Sequence, residues 1–188
     1  MLDTSRIRQD PLPQEMRQLL QDYPRDEWDA HPNFKNATRG WLGAHQGFRQ
    51  LSDLARKETE RYLDKSRAPE DFAARLSYYG GLLVRNLHGH HSWEDRSYFP
   101  ELSAADPRFD AGIEVLEKDH EVLDEVLDTF TRQANRVIKL IQLDEATARD
   151  EAGEMHGSTQ AIEALLKRHL TDEEELAVPI ILHHKLRG

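Results

Sequence analysis

Cysteine is missing from all 188 residues. That excludes disulfides, iron–sulfur clusters, zinc ribbons and thiol catalysis, so any bound metal must be held by nitrogen and oxygen. Long apolar runs are missing too. Without a stretch of about 18 apolar residues no helix spans a membrane, and the opening MLDTSRIRQDPLPQEM lacks the apolar core of a signal peptide. A cytoplasmic address is the expectation. Positive charge is scarce: 25 Lys and Arg against 35 Asp and Glu leave a net charge of −10, the wrong sign for a surface that neutralises phosphates, so no nucleic-acid partner is expected. Strand signals are weak as well, with neither alternating apolar residues nor Asn-Gly turns.

What is present is helical period, in a chain long enough for one domain with its own core. Residues 1–32 read as an arm, punctuated by Pro11, Pro13, Pro24 and Pro32, with Met16, Leu19, Leu20 and Tyr23 on one side of a short amphipathic stretch. Residues 33–188 read as an all-α, up-down-up-down four-helix bundle. The first helix spans about Asn33 to Leu63, with Trp41, His45, Phe48 and Ala55 on one face. The second opens at Pro69 with Glu70 and Asp71, because proline needs no amide partner there and acids suit the helix dipole. Its stripe is Phe72, Leu76, Tyr79, Leu83, Leu87, His90 and Glu94, ending before Pro100. The third begins between Pro107 and Asp110 and carries Ile113, Leu116, His120, Leu123, Leu127, Phe130, Ala134, Val137 and Ile141. The fourth follows an Asp144 cap and turns Met155, Ile162, Leu166, His169, Glu173 and Leu176 inward until Pro179. Aromatic residues of these stripes (Trp41, Phe48, Phe72, Tyr79, Phe130) read as core.

Each stripe has a histidine where an apolar residue is expected, and burying an imidazole costs free energy unless its nitrogens are satisfied. Short connections make neighbouring helices antiparallel, so the register can be tested by counting. His45 lies 21 residues before a turn near Ser66 and His90 lies 24 after it; the second turn, near Ala104, is 14 from His90 and 16 from His120; the third, near Asp144, is 24 from His120 and 25 from His169. At ~1.5 Å rise per residue, a mismatch of three residues is ~4.5 Å. The four histidines therefore share one level of the bundle.

A repeated spacing supports this. His90, Glu94 and Pro100 form H-x3-E-x5-P, and His169, Glu173 and Pro179 repeat it. Residues i and i+4 share a helix face, so each pair aims a nitrogen and a carboxylate at one spot. Four imidazoles and two carboxylates without sulfur suit iron, manganese or zinc. With both glutamates bridging and an oxo or hydroxo group between two ions, roughly one open position remains on each ion for dioxygen, peroxide, nitric oxide or azide.

The stretches LHGHHSWEDRSYFPEL, LEKDHEVLDEVL and LLKRHLTDEEELAVP resemble hemerythrin and the wider hemerythrin-like HHE cation-binding domains over about residues 31–182. The resemblance implies two non-haem irons held by His45, His90, Glu94, His120, His169 and Glu173, with Glu94 and Glu173 bridging. It also implies dioxygen binding, sensing of oxygen, nitric oxide or iron, or peroxide handling. The chain departs from the oxygen carriers of that family: Asp124 stands where they place a further histidine, and their longer spacing would select Glu174 over Glu173. Sensing or handling is therefore expected rather than bulk oxygen carriage. Asp124 remains a candidate ligand, and His88 and His91, which flank His90, are weaker candidates expected to point elsewhere. His31 and His156 read as solvated or capping groups and His183 and His184 as a tail. A peroxidase-like or oxidase-like di-iron enzyme is the first alternative. The paired E-x-x-H of ferritin-type sites occurs only once, at Glu117–His120. A zinc-loaded or metal-free interaction bundle is the second, with the arm as a docking or homo-oligomerising element.

Overall fold

The computed structural model describes residues 5–186, and among these every regular element is helical. The helices are α1 (Asn36–Leu63), α2 (Pro69–Arg75), α3 (Gly81–Trp93), α4 (Phe99–Ala105), α5 (Asp110–Ile141) and α6 (Glu145–His184). Between α2 and α3, and between α3 and α4, the chain makes single π-helical turns at Leu76–Gly80 and Glu94–Tyr98. The flanking residues keep right-handed helical dihedrals, so Pro69 to Ala105 is one continuous rod. Ahead of α1, 3-10 turns at Gln14–Gln21 and Arg25–Ala30 lie against the bundle.

Local chemistry sets several of these limits. Pro69 starts α2 with Glu70 and Asp71 in its first turn. The Asp144 carboxylate accepts from the amides of Ala146 and Thr147 and starts α6. Two expected stops fail. Pro100 does not end the second helix: the π turn at Glu94–Tyr98 lies directly ahead of it and widens the helix where the ring and the missing amide would otherwise break the ladder. Pro179 lies inside α6, which runs on to His184. Leu176 to Leu182 is buried throughout, and this burial outweighs the roughly 3 kcal/mol a helical proline costs. α1 also starts later than the Asn33 expected.

The apolar core forms two clusters, and the histidines lie between them. Along α1 the order is Trp41 of one cluster, His45, then Phe48 of the other; along the α3–α4 rod it is Leu87, His90, Tyr98. Along α5 it is Leu116, His120, Leu123, and along α6 Leu170, Glu173, Leu176. The sequence of clusters inverts from each long helix to the next. Of the aromatics expected inside, Trp41, Phe48, Phe72 and Phe130 are buried but Tyr79 is only half-buried. It sits in the first π turn, which shifts the stripe by a residue and puts Gly80 against Phe130 instead.

Leu12, Leu19 and Trp28 from the N-terminal segment join the cluster of Leu176–Leu182, with Met16, Leu20 and Tyr23 packed at its edge. Backbones come close here: a Cβ on Gly112 would lie 2.4 Å from Leu176 Cδ1 and 3.4 Å from the Met16 carbonyl oxygen. Gly112→Ala should therefore lower the free energy of unfolding by about 1–3 kcal/mol, read by denaturant titration, because buried Leu176 must leave its rotamer. His183 and His184 are not a loose tail. His183 Nδ1 lies 3.0 Å from the Tyr23 hydroxyl, and His184 Nε2 lies 2.9 Å from Asp106.

Candidate metal centre

At the boundary between the two apolar clusters the long helices bring their histidines together. His45 Nε2 and His90 Nε2 are 2.9 Å apart, and His120 Nε2 and His169 Nε2 are 3.1 Å apart. Glu94 spans both pairs: Oε1 is 2.7 Å from His90 Nε2 and 3.8 Å from His45 Nε2, while Oε2 is 3.6 Å from His120 Nε2. Glu173 Oε2 is 3.5 Å from the Nε2 atoms of both His45 and His169. The six residues singled out by spacing thus converge on one buried point. Glu94 opens the second π turn, and such turns re-aim side chains at functional sites.

Carboxylates behind the histidines set which nitrogen faces in. His45 Nδ1 lies 3.0 Å from Glu174 Oε1, His120 Nδ1 2.7 Å from Asp95 Oδ1, and His169 Nδ1 3.4 Å from Asp119 Oδ2. An imidazole that donates from Nδ1 to a carboxylate presents a bare, more basic Nε2 on its other side. His120 and His169, each backed at Nδ1, turn two such nitrogens towards each other at 3.1 Å, and bare nitrogens that close repel unless a cation draws on both lone pairs. Glu94 Oε2 and both oxygens of Glu173 have no hydrogen-bond partner among the described residues. Trp41 donates from its indole N–H to Glu94 Oε1 at 2.7 Å. Orphaned buried acceptors facing paired imidazoles fit divalent cations and little else.

The electrostatics agree. Burial, then the nearby Glu94 charge, pushes the Glu173 carboxyl well above its usual range. Burial would also raise Glu94, but hydrogen bonds from His45 and His90 outweigh it and hold that carboxyl well below its usual range. Burial lowers His169 to about 4 despite the Asp119 contact. It is therefore neutral at neutral pH, as a ligand must be. Glu174 does not face the paired Nε2 atoms. It grips His45 from behind and accepts from Arg25 and Arg49 at 2.8 Å each. Its burial is outweighed by His45, Arg49 and Arg25, which bring its pKa down to about 2 from the ordinary 4.5. A carboxylate with a depressed native pKa stabilises the fold above its unfolded value and loses that contribution as pH falls through the native one. The metal-free chain should therefore be more stable than its Glu174→Gln variant by up to roughly 3 kcal/mol at neutral pH. The gap should shrink between pH 4.5 and 2, measured by chemical denaturation at each pH.

One histidine departs from the expectation. His91 does not point away: it is buried, stacks on His120 with ring centroids 4.0 Å apart, and lies edge-on to His169 at 5.6 Å. Among the described residues neither ring nitrogen has a hydrogen-bond partner, and burial, with His120 and His169 beside it, pushes its pKa well down. Ligand atoms of His91, His120 and His169 fall within 4.8 Å of one another, as do those of His45, His90 and Glu94. The signal was available, because His91 follows buried Leu83 and Leu87 in steps of four, as valid on a helix as the step of three to His90. Adjacent residues on α3 point about 100° apart, so His90 meets α1 while His91 meets α5 and α6. Asp124 is exposed and pairs with His88 at 3.0 Å, not with the six converging residues. His156 Nε2 pairs with Glu60 and His31 Nδ1 accepts from the Asn33 amide.

A helical protein that gathers imidazoles and carboxylates, with no sulfur, around one buried point belongs to the class built to hold cations. The model of the hemerythrin HHE cation-binding domain matches residues 36–185, and the chain belongs to that family. No curated protein and no solved structure matches it significantly.

Proposed function

We propose that this chain holds two iron ions side by side and binds dioxygen or a related small ligand, such as peroxide or nitric oxide, in sensing or handling rather than in bulk carriage. In this reading His45 and His90 would hold one ion, His120, His169 and His91 would hold the other, and Glu94 and Glu173 would offer carboxylate oxygens to both. The observation that carries it is the pairing of Nε2 atoms at 2.9 and 3.1 Å across two carboxylates with orphaned oxygens. Iron, when bound, supplies the redox chemistry and the affinity for small diatomic ligands. The protein orients the imidazoles through the carboxylates behind them, excludes water with the two apolar clusters, and takes up the charge of the ions with Glu94 and Glu173. The inversion of cluster order along successive helices supports an up-down-up-down bundle, in which short hairpins fix the shared level of the ligands.

Approach to the site favours one side. His90 keeps about a tenth of its side chain exposed, whereas those of His45 and His169 are buried. A cavity of about 280 Å³ lies against it, walled by Thr38, Trp41, Ala44, Trp93 and Tyr98. A small ligand would approach the His90 side of the site from this cavity, past the indole of Trp41, which is bonded to Glu94. The deciding experiment is metal quantification of the purified protein with optical spectra before and after air, azide and peroxide. Two irons per chain with ligand-dependent bands support the reading. Catalytic loss of peroxide by the iron form would make it an enzyme, and zinc alone, or no metal, would reject it.

A further inference from the structure

We propose that Arg8 and Arg25, from the segment ahead of α1, are positioning residues for the two halves of the metal centre. Each acts through the carboxylate that holds a metal-facing histidine from behind. The inference rests on the di-metal reading above and adds to it what keeps the ions in place. α6 carries four acids in succession, Asp172 to Glu175, and three are taken by arginines of the N-terminal segment. Asp172 pairs with Arg8, Glu174 with Arg25 and Glu175 with Arg17. Glu173, the remaining acid, faces the paired histidines with both oxygens unpartnered among the described residues.

Two of the three arginines connect onward to the site. Arg8 makes a two-pronged contact with Asp119, from Nε at 3.3 Å and from a terminal nitrogen, and its other terminal nitrogen reaches Asp172. Asp119 faces His169 Nδ1 at 3.4 Å. Asp172 is fully buried and also accepts the Leu12 amide at 3.1 Å. Arg25 reaches Glu174 Oε2 at 2.8 Å, while Oε1 of the same carboxylate faces His45 Nδ1 at 3.0 Å. One arginine thus backs a histidine of each half. Asp172 keeps the two-pronged grip of Arg168, from Nε at 3.0 Å and from a terminal nitrogen, so the loss of Arg8 falls on Asp119, which no other arginine among the described residues holds toward His169. An imidazole that loses its carboxylate is a weaker and less well-aimed ligand. Arg49 also holds Glu174, at 2.8 Å, so the His45 side is doubly backed.

The test is release of Co²⁺ from the loaded full-length chain into excess chelator, followed by absorbance. Arg8→Gln should speed loss of one ion about tenfold, the usual size of an outer-shell effect. Arg25→Gln should speed loss of the other by roughly threefold, rising to about tenfold with Arg49→Gln added. Arg17→Gln breaks a comparable ion pair to the same helix, but Glu175 does not touch a histidine, so both release rates should stay at the parent values. Arg8→Lys, which keeps charge without the two-pronged geometry, should fall between parent and Arg8→Gln. The spectroscopic counterpart is solvent exchange of the His169 Nδ1–H in the Co²⁺ form, which Arg8→Gln alone should accelerate. Unchanged release in Arg8→Gln and in the Arg25→Gln/Arg49→Gln pair, or equal acceleration by Arg17→Gln, overturns the proposal while leaving the di-metal reading intact. A parent chain that takes up no metal overturns both.

Discussion

Glu94→Gln should bind neither ion with useful affinity, a loss of at least about 100-fold at both positions. One oxygen of this carboxylate lies 2.7 Å from His90 Nε2 and the other 3.6 Å from His120 Nε2, so a single amide substitution weakens both halves at once. The amide carries no charge to offset that of the ions, and its nitrogen can only donate, so one of the two ligating atoms is lost outright. His45→Ala is the informative contrast. It removes a ligand from one half and leaves His91, His120 and His169 in place, so roughly one ion should remain. Equilibrium titration with Fe²⁺ or Co²⁺ under argon, with bound metal counted after desalting, separates the two. Uptake of one tight ion by Glu94→Gln would mean that the carboxylate serves a single metal.

The level of the site was legible because it depends on chain length between turns, and turn chemistry at Pro69, Pro107 and Asp144 marks those lengths in the sequence. A histidine in each apolar stripe then has few explanations. What could not be read depends on contacts distant in sequence. Pro100 and Pro179 break a helix judged alone, yet here a π turn relieves one and burial on all sides carries the other. Tyr79 lost its core place because a π turn alters the phase of the stripe, and periodicity assumes constant phase. His90 and His91 are equivalent by spacing until the positions of α1, α5 and α6 around α3 are known. The pairings of Arg8, Arg17 and Arg25 with α6 could not be read either, since the short amphipathic stretch in that segment shows which residues turn inward but not which helix they meet.

Glu173→Gln should produce effects of opposite sign with and without metal. In the metal-free chain Glu173 is fully buried, finds no hydrogen-bond donor among the described residues, and sits beside Glu94, which keeps its charge. Its carboxyl is consequently held protonated well above the usual range, chiefly by burial and then by Glu94. A group whose native pKa is raised supports the fold below its unfolded value and costs stability as pH rises towards the native one. An amide of the same shape has no proton to hold and can donate to Glu94, removing a penalty of roughly 1–3 kcal/mol. Metal-free Glu173→Gln should thus unfold later than the metal-free parent at pH 7, with the advantage fading below about pH 4. Adding iron should reverse the order. The parent gains stability by mass action from ions that bind only the native state, while the variant, short of a bridging carboxylate, gains little. Thermal unfolding of both chains, each with chelator and with excess Fe²⁺, reads all four states. If the metal-free variant were the less stable one, Glu173 would be serving the fold, and the case for a carboxylate kept at a cost for metal binding would fall.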